Sequence, residues 1–169
     1  MTYKFLGTEY EKFELMPILK QNIDFLVESQ KLNVKQLVDL KPNLEKVLEV
    51  FENDGMTETP EEKEKREKME TLSTDLSQKT FDKVMAKRRE ACLDFNSFVA
   101  AVERDIISVR KSNSAVDELL KLLDDYLTNK KYSMLLALVH RMDDYIDKDQ
   151  YLTCYDCYVQ AYNHFLKEQ

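Results

Sequence analysis

Four residues near the C-terminus, Cys154-Tyr155-Asp156-Cys157, carry the spacing of a redox dithiol or of half a zinc site. A redox pair wants the start of a helix that follows a strand, and a zinc site wants a second pair of ligands. The chain of 169 residues offers one more cysteine, Cys92, and two histidines, His140 and His164. His164 lies two turns beyond Cys157 on the same helical face, about 10 Å along the axis at about 1.5 Å per residue, too far to share one ion. We read Cys154 and Cys157 as small apolar residues of a helical core and expect neither metal nor cofactor.

Carboxylates are the second source of chemistry. Asp124-Asp125 and Asp143-Asp144, with Asp147 and Asp149, could gather a divalent cation as in a metal-dependent helical enzyme. Such enzymes aim carboxylates inward at helical spacing, and here only Asp143 and Asp147 have it, on a polar side at a helix end. A solvated face is the simpler reading. Gly7 and Gly55 stand alone, so no phosphate loop exists, and no GxSxG nucleophile motif is present. A non-enzymatic protein is expected, with the metal-dependent enzyme as an alternative.

Lys83, Lys87, Arg88 and Arg89 make the one basic cluster. Arg88 falls where an apolar residue belongs, so its stem is expected along the core with its head paired to an acid of a neighbouring helix. The alternative makes the chain a subunit of a nucleic-acid complex, with Lys87, Arg88 and Arg89 as contacts. Glu90 and Asp94 dilute that patch.

Tyr151, Tyr155, Tyr158, Tyr162 and Phe165 follow one face of the final helix in steps of four and three. Each phenol needs a hydrogen-bond partner if buried, and interfaces favour tyrosine for its apolar body and polar tip. Tyr151, Tyr155, Tyr158 and Tyr162, edged by Asp149 and Asp156, are therefore the candidate partner-binding face, suited to a basic partner. A core stripe is the competing reading, and the sequence leaves that choice open.

The elements that must hold these residues read as helices. Phe81, Met85, Arg88, Cys92, Phe95, Val99, Val102, Ile106 and Val109 form a heptad, flanked by Val84, Ala91 and Phe98, which predicts one long central helix over about 78–111. Before it, Thr8 and Glu11 suggest a capping box for a helix from Glu9, with a kink or a new start at Pro17. Asn33 and Gln36 repeat the pattern ahead of a stripe that crosses Pro42. Residues 1–53 are thus N-terminal helices. Asp54-Gly55 opens a loop over 54–59, and Thr59-Pro60-Glu61-Glu62 starts a charged helical extension over 60–76, in which Met69 and Leu72 are the main apolar residues. Ser73-Thr74-Asp75 and Ser77 predict a break before the central helix. Residues 112–169 are expected as three antiparallel helices, because Asp124-Asp125-Tyr126 and Tyr132 recur 19 residues on as Asp143-Asp144-Tyr145 and Tyr151. Met134 to Val139 makes the middle one the most enclosed.

Two Gly and three Pro agree with an all-α fold, a single helical domain of about five to seven helices. The net charge of -7 disfavours general attraction to nucleic acid or anionic membrane. It is placed unevenly, with seven basic against eleven acidic residues over 1–60, twelve against eleven over 61–111 and six against ten over 112–169. Three unframed cysteines and no signal-like or membrane-spanning run point to a reducing, cytoplasmic setting. The function expected is a helical protein-binding module, an inhibitor, immunity-type protein, adaptor or assembly subunit. Its partner is another protein, and its oligomeric state is open.

Overall fold

The computed structural model describes residues 1–111, 115–147 and 154–168. Among the described residues the chain is an all-α bundle of six helices, with one addition, a two-stranded sheet. The sequence reading draws one domain; contacts gather in two compact units, one of residues 1–31, 81–112 and 152–169, the other of 32–80 and 113–151.

The first unit begins with a hairpin of β1 (Thr2–Phe5) and β2 (Thr8–Glu11), paired Thr2 with Glu11, Tyr3 with Tyr10, Lys4 with Glu9 and Phe5 with Thr8. The helix expected from Glu9 is therefore a strand. Leu6 and Gly7 at the turn both take positive φ, 49° and 87°, as a tight two-residue hairpin turn requires. What holds it is side-chain burial: Phe5 is enclosed, and Tyr3 meets Phe95 edge-on with centroids 4.8 Å apart. The cap moves to the following helix, α1 (Lys12–Asn53), where the Glu11 amide donates to Glu14 Oε1 at 3.3 Å.

The heptad positions are buried at Met85, Phe95, Val99, Val102 and Ile106 and half-buried at the others, but two helices share them. α2 (Pro60–Ala91) ends and α3 (Phe95–Lys111) begins across residues 92–94. Asp94 makes the break, its Oδ2 accepting from the Ser97 amide at 3.1 Å and the Ser97 hydroxyl at 3.0 Å. A central helix over 78–111 is thus corrected to a helix end, a capped turn and a new helix. Met85, Phe95, Phe98, Val99, Val102 and Ile106 still enter one core with Leu15, Met16, Leu19, Ile23 and Leu26 of α1.

Conversely, α2 runs unbroken through Ser73 to Ser77, where a break was expected. Within that stretch Thr74 Oγ1 meets His140 Nε2 at 3.1 Å, and just before it Thr71 Oγ1 donates to the Glu67 carbonyl at 3.1 Å.

In the second unit, Leu37, Leu44 and Leu48 of α1 pack with Leu119 and Leu123 of α4 (Ala115–Thr128) and Leu135, Leu138 and Met142 of α5 (Tyr132–Asp147). α1 continues past Pro17, Asn33 and Pro42 without a second start. Each proline is solvent-exposed, so a freed carbonyl can take water while the opposite face stays packed. α1 closes as expected at Gly55, φ 85°, with the Met56 amide donating to Phe51 O and the Gly55 amide to Glu52 O, each at 3.0 Å. α2 then opens with a reciprocal box: the Glu62 amide donates to Thr59 Oγ1 at 3.1 Å, and the Thr59 amide to Glu62 Oε1 at 3.2 Å. The three-helix C-terminal run divides. α4 pairs with α5, whereas the last helix, α6 (Asp156–Lys167), packs on α3 in the first unit. Within α5, Leu135 and Leu138 are buried but Met134 is exposed, so that helix is enclosed on one side only.

Candidate functional site

The tyrosine stripe folds inward. Tyr158 is wholly buried and Tyr155 nearly so, both in the first unit's core, and Tyr162 packs partly against it; Tyr151 lies outside the described residues. Tyr158 stands against Phe98, which also touches Phe165. The partner-binding face expected for these phenols is therefore corrected to a core stripe at Tyr155 and Tyr158. The missing hydrogen-bond partner is Asp105 on α3, whose Oδ2 accepts from the Tyr158 hydroxyl at 2.5 Å.

Asp105 also answers for Arg88. Arg88 Nε donates to the same Oδ2 at 3.0 Å, its Nη1 donates to the Cys154 carbonyl at 3.2 Å, and its guanidinium lies 4.6 Å from the Tyr155 ring centroid. Burial works against the Arg88 charge, yet the adjacent Asp105 carboxylate outweighs it and holds the group above its ordinary pKa. Arg88 is thus a core cation paired across helices, as its heptad position predicts, and is removed as a nucleic-acid contact. Lys87 and Arg89 beside it are exposed. Tyr158 is pushed above the usual phenol range by burial and then by its bond to Asp105.

The cysteines sort by environment rather than by motif. Cys154 is buried, and burial pushes its thiol up to about 11. Cys157, in the first turn of α6, has Cys92 for a neighbour: Cys92 Sγ donates to the Cys157 carbonyl at 3.5 Å. The Cys92 thiol, with the Arg88 charge and the Tyr158 amide, brings Cys157 down to about 7 against the opposing effect of burial. Cys92, as the donor, is pushed up correspondingly. The sequence could not show this pair, since its members are 65 residues apart.

In the second unit, the opening half of α2 is turned inside out. Arg66 forks onto Glu58, Nε to Oε2 at 2.7 Å and Nη2 to Oε1 at 2.8 Å, and its Nη1 donates to Glu70 Oε1 at 3.0 Å. The side chains of Arg66, Glu58 and Glu70 are only 17%, 9% and 15% exposed. Ser133 of α5 closes the clamp, its hydroxyl donating to Glu58 Oε2 at 2.7 Å. The Arg66 bond, opposed by burial, holds Glu58 below the usual carboxylate range. Beside it the Tyr132 hydroxyl donates to Glu52 Oε1 at 2.6 Å, and burial together with that carboxylate pushes the phenol up to about 12. The apolar residues of the same stretch, Met69, Leu72 and Leu76, are 58%, 68% and 67% exposed. Met69 rims a cleft of about 390 Å³ whose walls include Lys65, Arg66, Met134, Leu138 and Arg141.

Among the described residues the aspartates do not converge. Asp143 pairs with Lys41, and Asp125 takes Lys131 at 3.3 Å and Asn129 at 2.7 Å. Asp149 lies outside the described residues, as does the side chain of Asp147. Among the described residues no group of three or more His, Cys, Asp or Glu is placed to hold a metal ion. No helix among them is long and apolar enough to cross a membrane. No protein-family model, curated protein or solved structure matches the chain.

Proposed function

We propose that the protein is a non-enzymatic protein-binding module, an adaptor, inhibitor, immunity-type or assembly subunit, that docks its partner along the outer face of α2 in the second unit. The observation that carries this reading is the inversion of that helix. A helix ordinarily buries its apolar stripe and exposes its charges. Here Arg66 and Glu70 face inward while Met69, Leu72 and Leu76, at i, i+3 and i+7, face water. Folding leaves three large side chains uncovered, and exposed apolar runs with a polar rim are the usual mark of an interaction surface.

Cations at the rim favour one kind of partner. Lys65 lies one turn before Met69 and Lys79 one turn after Leu76 on the same side of the helix, and Arg141 stands in the cleft wall. An amphipathic helix with an apolar stripe and acidic edges fits, which reverses the basic partner expected when the tyrosine face was taken as the surface. Met69 and Met134 at the rim suit such a surface, since thioethers repack around varied apolar side chains.

Capture on the immobilised protein tests it. The retained protein should be lost from the Leu72→Asp/Leu76→Asp variant, and weakened at least about tenfold in the Lys65→Glu/Lys79→Glu variant, equivalent to about 1.4 kcal/mol. Both variants should melt with the parent, because every altered side chain is solvent-facing. A partner held equally by all three proteins would refute the proposal.

A further inference from the structure

A second feature, in the first unit, is independent of the α2 surface. Cys92 lies in the turn between α2 and α3, Cys157 in the first turn of α6, and both are half-buried. They line a depression of about 260 Å³ whose other walls are Arg89, Gln160, Ala161 and His164. None of the three cysteines is in a disulfide, and Cys92 and Cys157 are the two that are not fully buried.

We propose that Cys157 and Cys92 form an oxidisable dithiol site, which a hydroperoxide entering by this depression converts into a disulfide joining the α2–α3 turn to α6. Three facts of placement favour Cys157 as the attacking sulfur. It stands at a helix start, where free amides favour a thiolate, and the Tyr158 amide is among the groups that stabilise it. The Arg88 charge adds to this, and the Cys92 thiol stands beside it, donating to the Cys157 carbonyl at 3.5 Å. Cys154, its partner in the CxxC spacing, is instead enclosed in the core, with its carbonyl held by Arg88.

The steps balance without another reagent. The Cys157 thiolate attacks one peroxide oxygen, and the O–O bond breaks. Cys157 becomes a sulfenic acid, and the departing hydroxide or alkoxide takes up the proton that Cys157 released. The Cys92 sulfur then attacks the Cys157 sulfur, the S–O bond breaks, and hydroxide leaves with the Cys92 proton as water. Two thiols lose two electrons, and the hydroperoxide is reduced to water and an alcohol, or to two waters when it is hydrogen peroxide. Arg89 and His164 border the approach, and His164 Nε2 is tied to Glu168 at 3.1 Å.

The test is to oxidise the full chain with hydrogen peroxide, read the intact mass and map disulfide-linked peptides without reduction. The expected product is a monomer lighter by two hydrogens and bridged between Cys92 and Cys157. Cys154→Ser should give the same bridge. Cys92→Ser should stop at a Cys157 sulfenic acid that a cyclic 1,3-diketone traps. With its thiol near 7 rather than 9.0, Cys157 gains about fiftyfold in thiolate fraction at neutral pH and loses about sixfold to tenfold in nucleophilicity. It should therefore react about fivefold to eightfold faster in the folded than in the urea-unfolded chain. A Cys154–Cys157 bridge, bridges only between chains, or equal rates folded and unfolded would overturn the proposal. The map of the unsubstituted chain decides even if a variant fails to fold.

Discussion

Asp105 carries more of the first unit than its single negative charge suggests. One of its oxygens accepts from both Arg88 and Tyr158, so removing it orphans a cation and a phenol at once. Asp105→Ala should cost about 3 to 5 kcal/mol in urea unfolding, because it leaves a largely buried guanidinium without its counter-charge. Tyr158→Phe removes only one hydrogen bond to a charged acceptor and should cost about 1.5 to 3 kcal/mol. Its larger effect should be on pH dependence. The fold raises the Tyr158 pKa above the ordinary 10.0, so the stability this phenol contributes is complete below that value and is lost as pH rises through the folded value. Unfolding followed from about pH 9 upward should therefore decline less steeply in Tyr158→Phe than in the parent, and parallel curves would show that the phenol is not held as described. At this scale the sequence was half legible. Arg88 in a heptad seam predicted an acid from another helix and found Asp105, but nothing in the tyrosine spacing told a core stripe from an interface.

Helix boundaries were legible where a local side chain sets them and illegible where two local signals compete. Thr59 with Glu62, and Gly55 after Asp54, mark their termini because each satisfies free backbone groups without help from the rest of the chain. Thr8 with Glu11 presents the same letters, yet Tyr3, Phe5 and Tyr10 alternate around Gly7, and burial of the hairpin on Phe95 outweighs a cap contribution of about 1 kcal/mol. The heptad through residues 92–94 concealed the opposite error. An unbroken apolar face records what is buried, not whether one helix presents it, and Asp94 with Ser97 was the signal for the break. Thr59→Ala should destabilise by about 1 kcal/mol, and Asp94→Ala by about 0.5 to 2 kcal/mol, measured by chemical denaturation. Asp94→Ala is the more informative, because a continuous helix through this segment would tolerate or favour alanine and a gain in stability would sink the capped turn.

For the whole molecule, the two units have separate cores, yet α1 supplies residues to both cores and α2 runs through both units. Composition disclosed the class of fold readily, since so few Gly and Pro leave little but helix. It could not disclose this division, because a stripe from Met16 to Leu48 carries no mark where one core stops and the other begins. The two sets of side chains make the division testable. Phe98, wholly buried among Phe95, Tyr158 and Phe165, should cost about 3 to 5 kcal/mol as Phe98→Ala, and Leu138, buried in the second core, about 2 to 5 kcal/mol as Leu138→Ala. If each core is its own cooperative body, hydrogen exchange followed by mass spectrometry should quicken in the damaged unit and leave the other near its parent rate. For Leu138→Ala that means faster exchange over residues 32–53 of α1 and over α4 and α5, with little change in α3 and α6. Shared helices set the opposing expectation: a helix melted in one unit lacks its continuation and should fray the other. Faster exchange in both units for either variant would show that α1 and α2 bind the two cores into a single unfolding event, and that the chain behaves thermodynamically as the one domain its sequence suggests.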